Sequence, residues 1–588
     1  MLEYSPIPPL LSFTGKRWLF GKEMPPASSL IECLAVQRGI DLAQIPSWAG
    51  LPDPFTLGDM ETAVSRIQNA LQKKETIGII GDYDADGITG TAQFVRFFRR
   101  HGTEPQVILP HRQRDGYGVK KSFIDALHQK NVTLILTVDT GIGHVEEIAY
   151  ARSLGMDVIV SDHHTMKEEV PDAIILHPQL SKSKEHSLLS GSGVAFTLVR
   201  ALENNDWEEK DIDVALAAIG TIADVVPLLE ENRTIVQLGL TAMNASRFAP
   251  AGAHSHLRSS FGGQAKRTPI FDFARSVVKE GELVTSTHIG FRLAPRINAS
   301  GRLADPLIAL QGLLEGGEYL TRLHTLNMER QEATQRHMEL AETMVGEGRI
   351  LLIRSAAFHA GIIGLIAGRL TERFGRPSVV ACEEGDTITC SLRSIPSYHI
   401  AEALARCSSH LLSFGGHSAA AGCTLRAGAW DAFSDAMIKD IEECCSSEDF
   451  GPTLAIDCEL SEANLTVNFI QSLSLLEPFG AGNPEPKFLL RNQELTLLKK
   501  VGEDGRHLQC RIGYAKAIGF GLGELAERIP DRCDVVGRLG VDTWNGVERV
   551  QIFIEDMAPA DQVLNATRKQ KLKQDLRAGA MEYKETSG

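Results

Sequence analysis

The 588-residue chain has no apolar run approaching the roughly 20 residues that a bilayer-spanning helix needs, no CxxC pair among its ten cysteines and no compositionally biased tract. The first absence argues against a membrane protein. The second removes the usual frame of a structural zinc site, and thiols scattered this widely, with Cys444-Cys445 the one adjacent pair, suit a reducing compartment. The first residues, MLEYSPIPPLLSFTGKRW, lack the basic, then apolar, then small order of a secretory signal, so the expected location is cytoplasmic. Positive charge is also short: 60 basic residues face 75 acidic ones, for a net charge of −15. Phosphate binding runs on Lys and Arg contacts and counterion release, so this balance argues mildly against a nucleic-acid partner. A basic groove can still coexist with an acidic exterior. The rest of the composition, 43% apolar and 23% charged, is that of an ordinary globular protein, and the length predicts about three to four domains.

Short apolar runs dominate the first part of the chain. TIGII (76–80), QVILP (106–110), TLILTV (133–138) and DVIVS (157–161) alternate with helical patterns such as ITGTAQFVRFF and VEEIAYARSL. Strands that are apolar throughout, separated by amphipathic helices, predict a parallel sheet covered on both faces. Residues 232–300 carry little pattern, and APAGAHSHLRSSFGGQ within them reads as an exposed loop. From about 306 to 345 the text is helical and highly charged on one face, as in a helix that bridges domains. A second α/β pattern starts at GRILLIRS (348–355) and ends around FGGHSAAAGC (414–423). From about 452, FLLRN, LTLLKKV, HLQCRI, AIGFGLG, DVVGRLGVDTW and VQIFIEDM predict a small antiparallel barrel. The tail, ATRKQKLKQDLRAGAMEYKETSG, is polar and expected to fray.

Acidic residues fall where the strands end. Asp82, Asp84 and Asp86 (GDYDADG) follow the first strand, Asp139 (VDTG) follows TLILTV, and Asp162, His163 and His164 (SDHH) follow DVIVS. Asp224, in GTIADVVPL, closes an apolar helical run. Like charges this close are offset either by water, if the loop is simply solvated, or by a cation. Taken singly, Asp139 or Asp162 is as well read as a helix N-cap, and a His-His pair as a solvated surface feature. The carboxyl edge of a parallel sheet is where ligands bind, so one metal site there explains all the clusters together. Carboxylates with one or two imidazoles and no thiolate favour Mn²⁺ or Mg²⁺ over structural zinc. The number of ligands leaves room for two ions, an arrangement that clamps the attacking and leaving oxygens of a phosphoryl displacement.

The ordered series DYDADG, VDTG, SDHH and ADVVPL resembles the DHH phosphoesterase superfamily. LPHRQRDGYG (109–118), APRINASGR (294–302), SLRS (391–394), FGGHSAAAG (414–422) and LEPFGAGNPEP (476–486) narrow the resemblance, over about residues 50–558, to its single-strand-specific 5′→3′ exonucleases. That resemblance implies an α/β fold: a DHH catalytic domain at 51–305 after an N-terminal segment (1–50), a connecting helix at 306–345, a second DHHA1-type domain at 346–447, an OB-fold-like barrel at 452–558 and a polar tail at 559–588. It implies metal binding by Asp84, Asp86, Asp139, His163 and Asp224, with Asp82 a ligand or its close support, and a role for His164 facing the scissile phosphate. Arg112, Ser391 and Arg393 match positions that grip a 5′-phosphate; Arg296, Arg302, Gly415, Gly416 and His417 are further DNA-contact candidates. In the barrel, Phe479, Phe488, Tyr514 and Trp544 are the main aromatics, with Phe488 expected in its core.

The implied activity is metal-dependent digestion of single-stranded DNA from the 5′ end to 5′-mononucleotides in recombination and repair, alongside a helicase and a single-strand-binding protein. One rival is a phosphodiesterase for short oligonucleotides, against which the barrel and the length argue. Another is a non-catalytic scaffold, as in a eukaryotic replication-helicase component of the superfamily; the full ligand set here argues against it.

Overall fold

The structure is a computed structural model that describes residues 4–21, 29–112, 114–245 and 268–560. The loop expected at 249–264 and the tail from 561 lie outside the described residues. The chain divides into two compact units, one of residues 43–335 with 478–484, the other of residues up to 42, 336–477 and from 485 onward.

The first unit is built on five strands: β1 (Thr76–Gly81), β2 (Gln106–Ile108), β3 (Val132–Val138), β4 (Asp157–Ser161) and β5 (Ile174–Leu176). Their order is β2-β1-β3-β4-β5 and every pairing is parallel. Helix α1 (Ala85–Arg100) leaves β1, and α2 (Gly191–Leu202), α3 (Lys210–Ala223) and α4 (Ala294–Leu303) follow later in the chain. Alternation along the strands explains why they read as apolar throughout. Ile77, Ile79, Leu134 and Leu136 pack with Phe94, Phe97 and Phe98 of α1 and with α2, whereas Ile80, Ile135, Val158 and Val160 pack on the other side with Ile124, Leu127 and Ile148. Because β2 lies on one side of β1 and β3 on the other, the switch point falls between β1 and β3, and Asp82 and Asp139 stand at its two edges.

The helical stretch at 306–345 is two helices, Leu307–Glu315 and Glu318–Glu342. Gly316 and Gly317, at φ +74° and +58°, end the first in a conformation a helix cannot continue. Ala309, Leu310 and Leu313 of the first helix are buried in the core of the first unit.

In the second unit, β6 (Leu351–Ser355), α5 (Ile363–Phe374), β7 (Ser378–Glu384), β8 (Thr387–Arg393), β9 (Ser413–Gly416) and β10 (Ala420–Arg426) form a sheet ordered β9-β10-β8-β7-β6. Strands β11 (Phe488–Val501), β12 (His507–Ile512), β13 (Ala515–Gly519), β14 (Arg532–Trp544) and β15 (Val547–Pro559) close a barrel through β11–β14 pairing. Two expectations need correction. FLLRN and LTLLKKV are one strand, β11, whose polar middle is bulged, with Asn492 and Leu497 at positive φ, so that it bends and serves both sides of the barrel. The barrel is also not wholly antiparallel, because β13 pairs β15 in parallel.

The N-terminal residues, which carried no readable motif, join this unit. Strands Tyr4–Leu11 and Arg17–Gly21 pair with each other, and the second pairs with Thr453–Ile456. Trp18 packs on Ile456, Leu489 and Val536 and donates its Nε1–H to Asp556 (2.8 Å). Buried Arg38 meets Asp457 at 2.6 Å.

Candidate metal centre

The loop after β1 is shaped by its own carboxylates. Asp84 is the N-cap of α1, its side chain accepting from the amides of Asp86 (3.0 Å) and Gly87 (3.1 Å). Asp86 then lies in the first turn of α1, nearly fully buried, and accepts from the amides of Gly191 (2.7 Å) and Ser192 (3.0 Å) at the start of α2. A helix N-terminus favours negative charge, and this one is aimed at a carboxylate. Gly191 is required there, since a Cβ would fall 2.5 Å from that of Asp139. Asp139 ends β3 in the left-handed region at φ +60°, which Asp tolerates better than most residues. Asp224 caps the end of α3, and the β-branched residue after it, Val225, sits at φ +62°, a strained conformation that the surrounding fold must hold.

These elements bring every sequence-predicted metal ligand into one place. Three overlapping groups have ligand atoms within 4.8 Å of one another: Asp139, His163 and His164; Asp86, His163 and Asp224; Asp82, Asp84 and Asp139. His163 is the hub, with Nε2 3.1 Å from Asp139, 3.6 Å from Asp224 and 3.9 Å from Asp86.

Burial is the main force on these carboxyls. It raises Asp82, Asp86, Asp139 and Asp224 above the ordinary carboxylate range, to about 7 for Asp86 and about 9 for Asp224, and repulsion from neighbouring carboxylates adds to it. Asp162 behaves oppositely. Burial disfavours its charge too, but the hydrogen bond from His164 and the amide of Ile142 (2.9 Å) outweigh that and bring it to about 2. Its Oδ1 lies 2.8 Å from His164 Nδ1, and the pairing lifts His164 to about 9 in spite of burial. The Tyr117 hydroxyl donates to the Asp139 carbonyl (3.1 Å) and its ring lies 5.6 Å from that of His164.

The donor set fits hard divalent cations. Oδ1 of Asp82 and of Asp139 are buried and accept no hydrogen bond among the described residues, so the cluster offers hard oxygen lone pairs that such a cation could take up.

The other sequence-predicted residues fall in three places. Arg112 lies over the Tyr83 ring at 4.8 Å, in the DYDADG loop, and Arg302 is near enough to act on the Tyr83 hydroxyl electrostatically. Arg296 is not gathered with them: its Nε donates to His324 (2.8 Å) and its Nη1 to the Arg292 carbonyl. Ser391, Arg393, Gly416 and His417 belong to the second unit. Ser391 pairs across the sheet with Gly422, which pairs with Gly415, so FGGHSAAAG is a hairpin beside SLRS. Gly416 is needed at its tip, where φ is +147° and a Cβ would meet the Ala421 backbone at 2.4 Å. Of the barrel aromatics, Phe488 is in the core, Tyr514 is exposed, the Trp544 side chain lies outside the described residues, and Phe479 belongs to the 478–484 segment on the first unit, where its carbonyl accepts from Ser286 (2.6 Å).

Sequence reasoning did not find Asp162 as the partner of His164, the amides of Gly191 and Ser192, or Tyr83 and Tyr117. The Ser/Gly run LSGSGV ahead of an apolar helix signals a helix start, but not which carboxylate it faces.

Known proteins share the domains of this chain. Residues 76–223 match the DHH family, N-terminal domain, residues 347–445 the DHHA1 domain and residues 456–556 the RecJ OB domain. The single-stranded-DNA-specific exonuclease RecJ of Bacillus subtilis is 34% identical, over 90% of this chain and 68% of its own length. That of Escherichia coli is 30% identical, over 91% of this chain and 96% of its own. Among solved structures, RecJ of Thermus thermophilus in complex with Mn²⁺ superposes with a TM-score of 0.77 at 29% identity, covering 92% of this chain and 79% of that one. Its complex with Mg²⁺ gives 0.72 at 28% identity, with 92% and 78% covered. The chain belongs to the RecJ family.

Proposed function

We propose that the chain is a metal-dependent exonuclease that degrades single-stranded DNA 5′→3′ to 5′-mononucleotides, and that it acts in recombination and repair. The observation that carries this reading is the set of overlapping carboxylate–imidazole groups at the switch point of the parallel sheet. The names of the relatives and the Mn²⁺ and Mg²⁺ in their structures support it.

In this reading Asp82, Asp84, Asp86, Asp139, His163 and Asp224 hold two Mn²⁺ or Mg²⁺ ions. When bound, such ions would supply Lewis acidity at the phosphoryl oxygens and a nucleophile at neutral pH. The chain's own residues do the rest. His164, fixed through Nδ1 by Asp162, presents its Nε2–H to a non-bridging phosphate oxygen and stabilises the charge that develops there. Arg112 and Arg302 in the first unit, with Arg296 beyond them, and Ser391, Arg393, Gly416 and His417 in the second are the proposed phosphate and DNA contacts. Arginine's planar fork suits a terminal phosphate. Cooperation with a helicase and a single-strand-binding protein, and a cytoplasmic location, belong to the same proposal; no described helix is long and apolar enough to cross a membrane.

The test is Mn²⁺ titration of the wild type and of Asp139→Asn, followed calorimetrically and by turnover. Weaker binding together with lost cleavage is expected; wild-type binding and turnover in the variant would refute the ligand assignment.

A further inference from the structure

Arg112 stands in the loop after β2, and its guanidinium carbon lies 4.8 Å from the centre of the Tyr83 ring. Among the described residues its guanidinium makes no hydrogen bond or ion pair, and Asp82 and Tyr83 sense it only at a distance. A guanidinium lying on an aromatic face keeps its N–H edge free, because the attraction is to the ring and uses no donor. Tyr83 is itself held from several sides. The residues flanking it are Asp82, which follows β1, and Asp84, which caps α1. On another side α4 closes on its backbone: a Cβ on Gly301 would stand 2.7 Å from the Tyr83 carbonyl, and Asn298 accepts from the next amide but one, that of Ala85, at 2.8 Å. The APRINASGR segment therefore has a use apart from its arginines, which is to brace the loop that carries Tyr83.

We propose that Tyr83 is a positioning residue for recognition of the DNA end. Its ring fixes the plane of the Arg112 guanidinium so that the free edge meets a terminal 5′-phosphate. This rests on the reading of Arg112 as a phosphate contact and adds the device that orients it. It also places the residue that orients the end-reading guanidinium on the same loop as Asp82, Asp84 and Asp86, so that the end and the metal ligands are registered through one short segment.

The experiment compares kcat/KM on one single-stranded oligonucleotide carrying either a 5′-phosphate or a 5′-hydroxyl, with Mn²⁺. The phosphate/hydroxyl ratio is the readout, and a general loss of activity cancels in it. Wild type should favour the phosphate. Tyr83→Phe, which keeps the ring, should keep the ratio. Tyr83→Leu should lower it about tenfold, mainly through KM on the phosphorylated end. The double variant Tyr83→Leu/Arg112→Ala should fall no further than Arg112→Ala alone. Should Tyr83→Leu fold poorly, Arg112→Lys leaves Tyr83 intact, keeps the charge and removes the planar fork; it should lower the ratio comparably. Three outcomes overturn the inference while leaving Arg112 as a phosphate contact: an unchanged ratio in Tyr83→Leu when Arg112→Ala collapses it, an equal fall in Tyr83→Phe and Tyr83→Leu, or a wild-type ratio in Arg112→Lys. A wild-type preference that survives Arg112→Ala, or no wild-type preference at all, removes the phosphate role of Arg112 and this inference with it.

Discussion

Asp86 and Asp224 are raised to about 7 and about 9, whereas an unfolded chain titrates them near the ordinary Asp value of 3.8. The folded, metal-free state therefore holds protons that the unfolded state has released. Stability from this source is full below about pH 4 and is lost as pH rises through 7 to 9. Cations replace those protons. The metal-stripped protein should melt at progressively lower temperature across that window, and the rise in melting temperature on adding Mn²⁺ should grow with pH; a metal-induced shift that shrinks with pH would contradict the account. Asp162 works through another residue. Replacing it with Asn removes the negative partner of His164, and an outer partner of this kind costs about 10- to 100-fold in activity, here expected in kcat, with the pH profile shifting as the imidazole loses its charge. The alternate spacing of Asp82, Asp84 and Asp86 made these three residues legible in sequence. Asp162 read equally well as a helix cap, because its partners come from a local turn and from the amide of Ile142, which sequence spacing does not display.

At the level of elements, the parallel sheet was legible because both faces of each strand are buried, leaving no polar alternation to confuse the pattern. The break at Gly316-Gly317 and the single bent β11 were not. Glycine is tolerated within a helical text, and the polar stretch in the middle of β11 reads as a turn when it is in fact a bulge. The approach of α2 to the carboxylates is also invisible in sequence, yet it is sharply constrained. Gly191→Val would drive a side chain into Asp139 and displace the amides that hold Asp86. The variant should lose Mn²⁺ affinity and a few degrees of melting temperature together; calorimetry showing normal affinity would mean that α2 is not part of the site's support.

Across the whole chain, net charge was the weakest guide. The −15 balance argued mildly against a polyanionic partner, but some of that acidity is the buried cluster itself, which binding of cations offsets. The N-terminal residues were unreadable because their partners are hundreds of positions away. Arg38 and Asp457 form a buried pair, and Asp457 also accepts from the Lys487 amide (2.9 Å). Arg38→Ala removes the ion-pair partner of that buried carboxylate and should cost the second unit about 3–5 kcal/mol, read from denaturant unfolding.

The most direct test of the central claim is digestion of one single-stranded oligonucleotide, labelled in turn at its 5′ and 3′ ends, with Mn²⁺, with Mg²⁺ and with chelator, beside its matched duplex. The account predicts mononucleotides released first from the 5′ end, only with metal, and an intact duplex. Release from the 3′ end, cleavage that survives chelation, or long strands untouched while dinucleotides are cut would contradict it.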